Sequence, residues 1–341
     1  MGAIMSIVGV LALVLIAILG AKANLHLVFG VLFPYAAVLT LLIGLTVRVI
    51  RWAKSPVPFR IPTTCGQQKS LPWIKHSRIE NPTTIWGVFA RMFFEVFFFR
   101  SLFRNTKTEM HKGPHLAYGS SKWLWLAGLA FHWSFLLILI RHLRFFSEEV
   151  PMAIGLVEYL DSFLQIGVPL LYMTDLVILG AITFLYLRRV IIPQVSYISL
   201  PADFFPLVLI FGIAASGVLM RYFTKTHIVG VKAYTMSLVS LSPKMPEGVG
   251  TIFWVHLFLV CVLFAYFPFS KLVHMAGVFM SPTRNLANNS RIVRHVNPWQ
   301  TKYKGRTYED YENDFRDKMI SVDVPVEKQE SEPAEQAAEK E

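Results

Sequence analysis

The sequence predicts an all-α integral membrane protein, a six-helix transmembrane bundle, on two observations. Hydrophobic residues make up 54% of the 341-residue chain and the mean hydropathy is +0.48, more apolar surface than a soluble domain of this length can hide. A bilayer core of roughly 30 Å needs about 20 apolar residues per helix. Six stretches supply them: Ile4–Ala21, Leu25–Val47, Lys122–Phe146, Gln165–Leu187, Asp203–Tyr222 and Thr251–Met275. Nothing in the chain reads as a strand or an internal repeat.

The first run lacks a basic region before it and is followed at once by the second, so it reads as a retained helix rather than a cleaved signal peptide. Lys22, Ala23 and Asn24 form the turn between the two, which makes residues 1–47 an antiparallel transmembrane hairpin appended to the rest. Residues 48–121 form a basic loop. From Arg48 to Lys122 the chain carries thirteen Lys or Arg, whereas Ser147–Leu164 has none but holds Glu148, Glu149, Glu158 and Asp161. The positive-inside bias therefore places both termini in the cytoplasm and makes this a multi-pass protein of the cell inner membrane. Lys225, Lys232 and Lys244, between the fifth and sixth segments, run against that bias. Within the basic loop, Ile85–Phe103 is Phe-rich but interrupted by Arg91, Glu95 and Arg100, a pattern that suits a helix lying in the interface.

Residues 122–295 hold the last four spans, and residues 296–341 are a tail. Arg284–Arg306 has no acidic residue, while Glu309–Glu341 has twelve acids against four bases. The second stretch is expected to be disordered unless a subunit orders it. The net charge of +11 fits basic segments lying against anionic headgroups of membrane lipid and gives no reason to invoke nucleic acid. The only cysteines, Cys65 and Cys261, form neither a disulfide framework nor a self-contained iron–sulfur motif, so any such cluster belongs to a partner.

The third segment carries His132 and His142, ten residues apart, and the sixth carries His256 and His274, eighteen apart. At about 100° per residue, eighteen steps return to the same azimuth and ten miss by roughly 80°, so each helix presents both rings to one broad side. The two helices run antiparallel in a six-span count, which pairs His132 with His274 and His142 with His256. Two bis-histidine sites stacked across the membrane result, and neutral imidazole on both faces of a haem suits electron transfer. Two haem b groups between the third and sixth helices are therefore expected. Ten residues rise about 15 Å and eighteen about 27 Å; tilt and a kink at Pro268 must absorb the difference. A single membrane histidine often only hydrogen-bonds a neighbouring helix, but two matched pairs are harder to explain that way. Zinc needs clustered ligands, which this spacing does not give.

The run PFSKLVHMAG around His274, the closing RIVRH and both histidine spacings resemble the membrane gamma subunit of respiratory nitrate reductases, over about Lys122 to His295. The N-terminal hairpin and the loop motif PTTCGQQKSLPW look more like the cytochrome subunits (DsrM type) of sulfite-reduction-associated redox complexes. These resemblances imply a di-haem cytochrome core, with His132 and His274 holding the haem nearer the cytoplasm and His142 and His256 the outer one. They also imply a menaquinone or menaquinol site beside one haem and a cytoplasmic, heterodisulfide-reductase-like (DsrK-like) iron–sulfur subunit. Other membrane and periplasmic subunits complete such a complex. The nitrate-reductase subunits place a lysine near the outer quinone pocket, whereas here no lysine lies between His142 and Arg188. A nitrate reductase gamma or heterodisulfide reductase cytochrome is the alternative inside this class. A proton or ion transporter and a passive anchor are the alternatives outside it.

Arg141 and Arg144, which flank His142, are candidates to pair with haem propionates, as are Arg221 and Lys271; interfacial snorkelling is the plainer reading. Asp175, expected near the middle of the fourth helix, and the outer acids Glu158 and Asp161 are candidate proton acceptors for a quinol. Gly212, Ala215, Ser216 and Gly217 let a helix or a flat macrocycle approach closely. Cys65 sits where a partner is expected to dock, and Cys261 reads as a small hydrophobe. His26, His76, His111, His115, His227 and His295 are assigned no ligand role.

Overall fold

The computed structural model describes residues 1–57, 66–111, 113, 115–164, 169–293 and 305–327. Cys65 and His295 lie outside the described residues. The chain divides into two compact units, Met1–Val293 and Arg294–Glu341.

The first unit opens with α1 (Gly2–Lys22). Asn24, at a left-handed φ of +55°, turns the chain, as this residue type tolerates. A π-helical turn, Val28–Leu32, then runs into α2 (Phe33–Ala53). After the loop come α3 (Ile85–Phe98) and the short α4 (Arg100–Phe103), followed by α5 (Lys122–His142) and α6 (Met152–Asp161). Next are α7 (Met173–Ile191), α8 (Pro193–Ile198), α9 (Pro201–Val218) and α10 (Ile228–Val239). The unit closes with α11 (Thr251–Tyr266) and α12 (His274–Gly277).

Among the described residues five helices are long and apolar enough to cross a membrane: Gly2–Lys22, Val28–Ala53, Lys122–Phe146, Pro201–Phe223 and Thr251–Phe269. The fourth predicted span differs. Its helix, α7, begins at Met173 rather than Gln165, has Asp175 in its first turn and ends on Arg188 and Arg189. Those three charges leave a shorter apolar stretch than the other five have. Asp175 therefore lies at the end of a helix, where a carboxylate meets unpaired backbone N–H groups, and not near the middle as expected.

The expectation of no strands also fails. β1 (Thr106–His111) and β2 (His115–Ser120) form an antiparallel hairpin in the basic loop, with Thr106 opposite Ser120. Gly113, at φ +82°, supplies the turn that a side chain would strain. A second small pair joins β3 (Ser162–Leu164) to β4 (Leu171–Tyr172).

The sixth predicted span breaks more sharply than a kink. α11 stops at Tyr266, a 3₁₀ turn carries Pro268, and Ser270 is extended before a second turn leads to His274. Proline has no N–H to continue the ladder and clashes with the preceding turn.

α1 packs along α9 and α11, α2 along α11, and α5 along α7. The shared core joins Val10, Ala17 and Phe29 of the N-terminal hairpin to Leu209, Trp254 and Leu259. Lipid removes the usual hydrophobic drive between helices, so close packing of small residues must hold such contacts. Gly20 shows this, since a Cβ there would meet the Phe29 ring at 2.2 Å. Large apolar side chains such as Leu11, Leu15, Leu39 and Leu42 point outward instead.

In α3 the polarity is reversed from that of a helix in water. Arg91 and Glu95 are buried, while Trp86, Phe89 and Phe93 are exposed. Arg91 donates to the Thr283 carbonyl at 2.9 Å and Glu95 accepts from Ser101. Next to it, Glu80 bridges Arg100 at 2.8 Å and Arg104 at 2.5 Å. Burial raises its carboxyl pKa, but the hydrogen bonds from Arg104 and Arg100 outweigh this and hold it below the ordinary 4.5.

In the second unit α13 (Tyr308–Ser321) starts in a capping box between Thr307 and Asp310, at 3.1 and 3.2 Å. The box gives two otherwise orphaned N–H groups a partner. Glu312, buried, accepts from the backbone N–H of Glu327 at 2.8 Å. Part of the acidic stretch expected to be disordered is thus a helix; residues 328–341 lie outside the described ones.

Candidate haem centres

α5 carries His132 and ends on His142, α11 carries His256, and His274 opens α12. The ring centres of His132 and His274 are 6.0 Å apart with planes at 78°. Those of His142 and His256 are 6.4 Å apart with planes at 11°. Two imidazoles on opposite sides of one metal, each nitrogen about 2 Å from it and each ring centre about 1 Å behind its nitrogen, have centres about 6 Å apart. The rings do not hydrogen-bond to each other. α5 has α7 as its main neighbour and α11 has α2 and α9; the His142–His256 pair reaches from α5 to α11, and the His132–His274 pair from α5 to the start of α12.

The Nδ1 atoms determine the tautomer. Nδ1 of His132 lies 2.8 Å from the Gly128 carbonyl and that of His142 lies 2.7 Å from the Ile138 carbonyl. His274 Nδ1 is 2.8 Å from the Lys271 carbonyl, and His256 Nδ1 is 3.1 Å from the Ile213 carbonyl and 2.9 Å from Ser216 Oγ. A carbonyl only accepts, so each Nδ1 carries the proton and each Nε2 keeps a lone pair for a metal. Among the described residues no Nε2 of the four forms a hydrogen bond, and no group of three or more His, Cys, Asp or Glu could hold a metal. The donor set fits bis-imidazole ligation of haem iron and does not fit zinc.

Aromatic rings wall the first pair. Phe99 and Phe131 each meet His132 edge-on with centres at 4.9 Å. Phe99 holds a left-handed φ of +49°, a strained conformation for so bulky a residue. It is kept there by the indole N–H groups of Trp125 and Trp133, which donate to the carbonyls of Phe98 and Phe97 at 2.7 and 3.0 Å. No local pattern in the chain marks this wall. Ser216, a small residue that suits close helix packing, also orients His256 through its hydroxyl.

Beside His142 lies a cluster that unites residues read separately in the sequence. Arg141 donates to Asp175 Oδ1 at 2.8 Å and to Thr174 Oγ1 at 3.0 Å. Its Nε is 3.3 Å from Asp161 Oδ2, an ion contact without hydrogen-bond alignment. Asp161 accepts from the backbone and hydroxyl of Thr174, and Asp175 Oδ2 accepts from Tyr222 at 2.7 Å. The guanidinium groups of Arg141 and Arg221 lie 3.8 and 4.1 Å from the Tyr172 ring centre, and Arg221 donates to the Leu170 carbonyl at 3.1 Å. Asp161 is thus buried and fully bonded, not a solvated loop acid. Arg144 pairs with Glu158 at 2.8 Å, and Lys271 pairs with Asp203 at 2.6 Å. All four cations expected to meet propionates have partners within the protein. Elsewhere, Cys261 is free and buried, and His26 stacks on Trp254 at 4.7 Å.

A multi-pass bundle of apolar helices whose imidazoles face one another in pairs has the layout of a membrane cytochrome of the b type. The chain belongs to the nitrate reductase gamma subunit family, which matches residues 82–296. It is also similar to two archaeal proteins named Hdr-like menaquinol oxidoreductase cytochrome b-like subunit. The one from Archaeoglobus fulgidus is 44% identical over 279 residues, 80% of this chain and 83% of the relative. The one from Archaeoglobus profundus is 42% identical over 273 residues, 78% and 81% of the two chains.

Proposed function

We propose that the chain is the haem-carrying membrane subunit that passes electrons between menaquinol and a cytoplasmic, heterodisulfide-reductase-like iron–sulfur subunit in dissimilatory sulfur metabolism. The observation that carries this reading is the double pairing of imidazoles, each with Nδ1 committed to a carbonyl and Nε2 left for a metal. His132 and His274 would hold one haem b near the cytoplasm, and His142 and His256 a second near the outer face. When bound, haem supplies one-electron carriage. The names of the Archaeoglobus relatives support the menaquinol assignment.

The protein contributes ligand orientation, fixed charge and proton acceptors. Arg141, adjacent to His142, is a positive charge held in place by Asp161 and Asp175. Oxidation of one menaquinol releases two protons along with two electrons, and the carboxylates differ in their readiness to take them. Both oxygens of Asp161 and of Asp175 are engaged. Glu158 is partly exposed and bonds Arg144 through one oxygen only, so its other oxygen is the acceptor. With the N-terminus in the cytoplasm, the basic loop 48–121 faces the partner subunit, and the aromatic face of α3 rests in the membrane interface.

The test is a dithionite-reduced minus oxidised spectrum with haem quantified per chain. Two haems b are expected, falling to one in His142→Ala, His256→Ala, His132→Ala or His274→Ala. A purified chain without b-type absorption, or one that keeps two haems after each substitution, refutes the reading.

A further inference from the structure

The break after α11 opens a groove that the electron-transfer reading does not use. It has a volume of about 470 Å³, within the range of roughly 300–1,000 Å³ typical of small-molecule sites. One wall is a stripe of α2, Leu39, Ile43 and Val47, spaced one helical turn apart and exposed. The facing wall is Pro268 and Phe269, the residues at which the sixth span leaves helical geometry. Gly44 lets the walls meet, since a Cβ there would sit 2.7 Å from the Pro268 ring. The mouth is formed by Arg48 and Arg51, in the last two turns of α2.

The polar chemistry of the lining is one-sided. Arg48 donates through Nε to the Pro268 carbonyl at 3.4 Å, and Thr40 gives its hydroxyl proton to the Ala36 carbonyl. Neither arginine pairs with a carboxylate among the described residues, and no carboxylate or imidazole lines the groove. A quinol would need a group to take its protons, and none is present. Two guanidinium groups at the end of a membrane-crossing helix, above an apolar channel two turns long, match a ligand with an anionic head and a hydrocarbon tail.

We propose that this groove is a specific site for an anionic phospholipid. The phosphodiester lies between Arg48 and Arg51, and an acyl chain lies along Leu39, Ile43, Val47 and Phe269. The lipid fills the notch left by the broken helix and covers the exposed Phe269. The site is independent of the haem reading and survives its failure.

Native mass spectrometry of the full-length chain in mild detergent tests this, with phosphatidylglycerol and phosphatidylethanolamine titrated separately. One phosphatidylglycerol per chain is expected to persist in preference to phosphatidylethanolamine. In the double variant Arg48→Gln/Arg51→Gln its affinity falls about thirtyfold. The control variant Arg188→Gln/Arg189→Gln, at the end of α7 and away from the groove, keeps it. Far-UV circular dichroism establishes that both variants are folded; if the double variant is not, Ile43→Trp, which fills the channel without touching a charge, must abolish retention. Equal retention of the two lipids overturns the proposal, because snorkelling arginines in general contact explain it. So does equal loss in the control. Full competition by glycerol phosphate makes the site one for a free phosphate, and retained menaquinone that the double variant releases makes it a quinone site; either result also overturns it.

Discussion

Removing Arg141 is the sharpest perturbation of the charged cluster. Its side chain is 9% exposed and its partners Asp161 and Asp175 are 2% and 14% exposed. In Arg141→Gln the buried Asp161 and the mostly buried Asp175 lose the one cation that, among the described residues, is in hydrogen-bond or ion contact with them. Breaking a buried pair by removing one partner costs about 3–5 kcal/mol, and the lost stacking on Tyr172 adds about 1 kcal/mol. The expected destabilisation is therefore about 4–6 kcal/mol, against about 0–1 kcal/mol for an exposed pair. The assay is unfolding in detergent micelles, followed by far-UV circular dichroism and, in the loaded protein, by haem absorbance. The triple variant Arg141→Gln/Asp161→Asn/Asp175→Asn, which removes every charge of the trio, should recover more than half of the loss. Arg141→Lys should not rescue, because a point charge cannot bridge two carboxylates while lying flat on Tyr172. A loss below about 1 kcal/mol in Arg141→Gln, or no recovery in the triple variant, would refute the claim that this cluster fastens α5, α6, α7 and the end of α9 together.

Ser216→Ala removes the hydroxyl 2.9 Å from His256 Nδ1 and should shift the midpoint potential of one haem in a redox titration while leaving the other unchanged; identical titrations would mean that the Ile213 carbonyl alone orients the ring. The planes of His142 and His256 are nearly parallel and those of His132 and His274 nearly perpendicular. Because mutual ring orientation sets the splitting of the iron d orbitals, the oxidised protein should give two distinct low-spin paramagnetic resonance signals, and His274→Ala should erase only the more anisotropic one. Glu80, held below the ordinary carboxylate value of 4.5 by Arg104 and Arg100, stabilises the fold of its loop above the unfolded pKa, and that contribution is lost as pH falls through the lowered folded value. Hydrogen exchange in residues 80–104, corrected for intrinsic rates, should accelerate below pH 4.5 and lose this dependence in Glu80→Gln; a wild-type profile in the variant would remove Glu80 as the cause.

Features that depend on neighbouring residues were legible in the chain. The apolar runs gave the five membrane-length helices, and the ten- and eighteen-residue spacings put the histidines on broad common sides. Features made by distant residues were not. Arg141, Asp161, Asp175 and Tyr222 come from four separate elements, and no local pattern marks them as one cluster. The shift of the fourth helix to Met173 has a related cause. Asp175 finds its cation on α5 and so is stable at a helix end, whereas apolar content alone extends the span back to Gln165. The β1–β2 hairpin has no local mark, because its strands, TKTEMH and HLAYGS, lack the apolar–polar alternation of a half-buried strand. The reversed polarity of α3 was half visible: Arg91, Glu95 and Arg100 argued against a crossing helix, but not that Arg91 and Glu95 would turn inward.

The break at Tyr266 resolves a mismatch that the spacings pose. His132 and His142 are ten residues apart on a continuous helix, a rise of about 15 Å. A continuous partner helix would separate His256 from His274 by about 27 Å, too far for both pairs to close without steep tilt. From His256 to Tyr266 is again ten residues of unbroken helix, so α11 climbs as far as its counterpart and then stops. The remaining eight residues turn through Pro268 and Ser270 and bring His274 to within 6.0 Å of His132. Pro268 is therefore the device that lets an eighteen-residue spacing serve a ten-residue one. The notch beside Gly44, lined by Arg48 and Arg51, is the geometric remainder of that turn, which is why the groove and the His132–His274 pair depend on the same break.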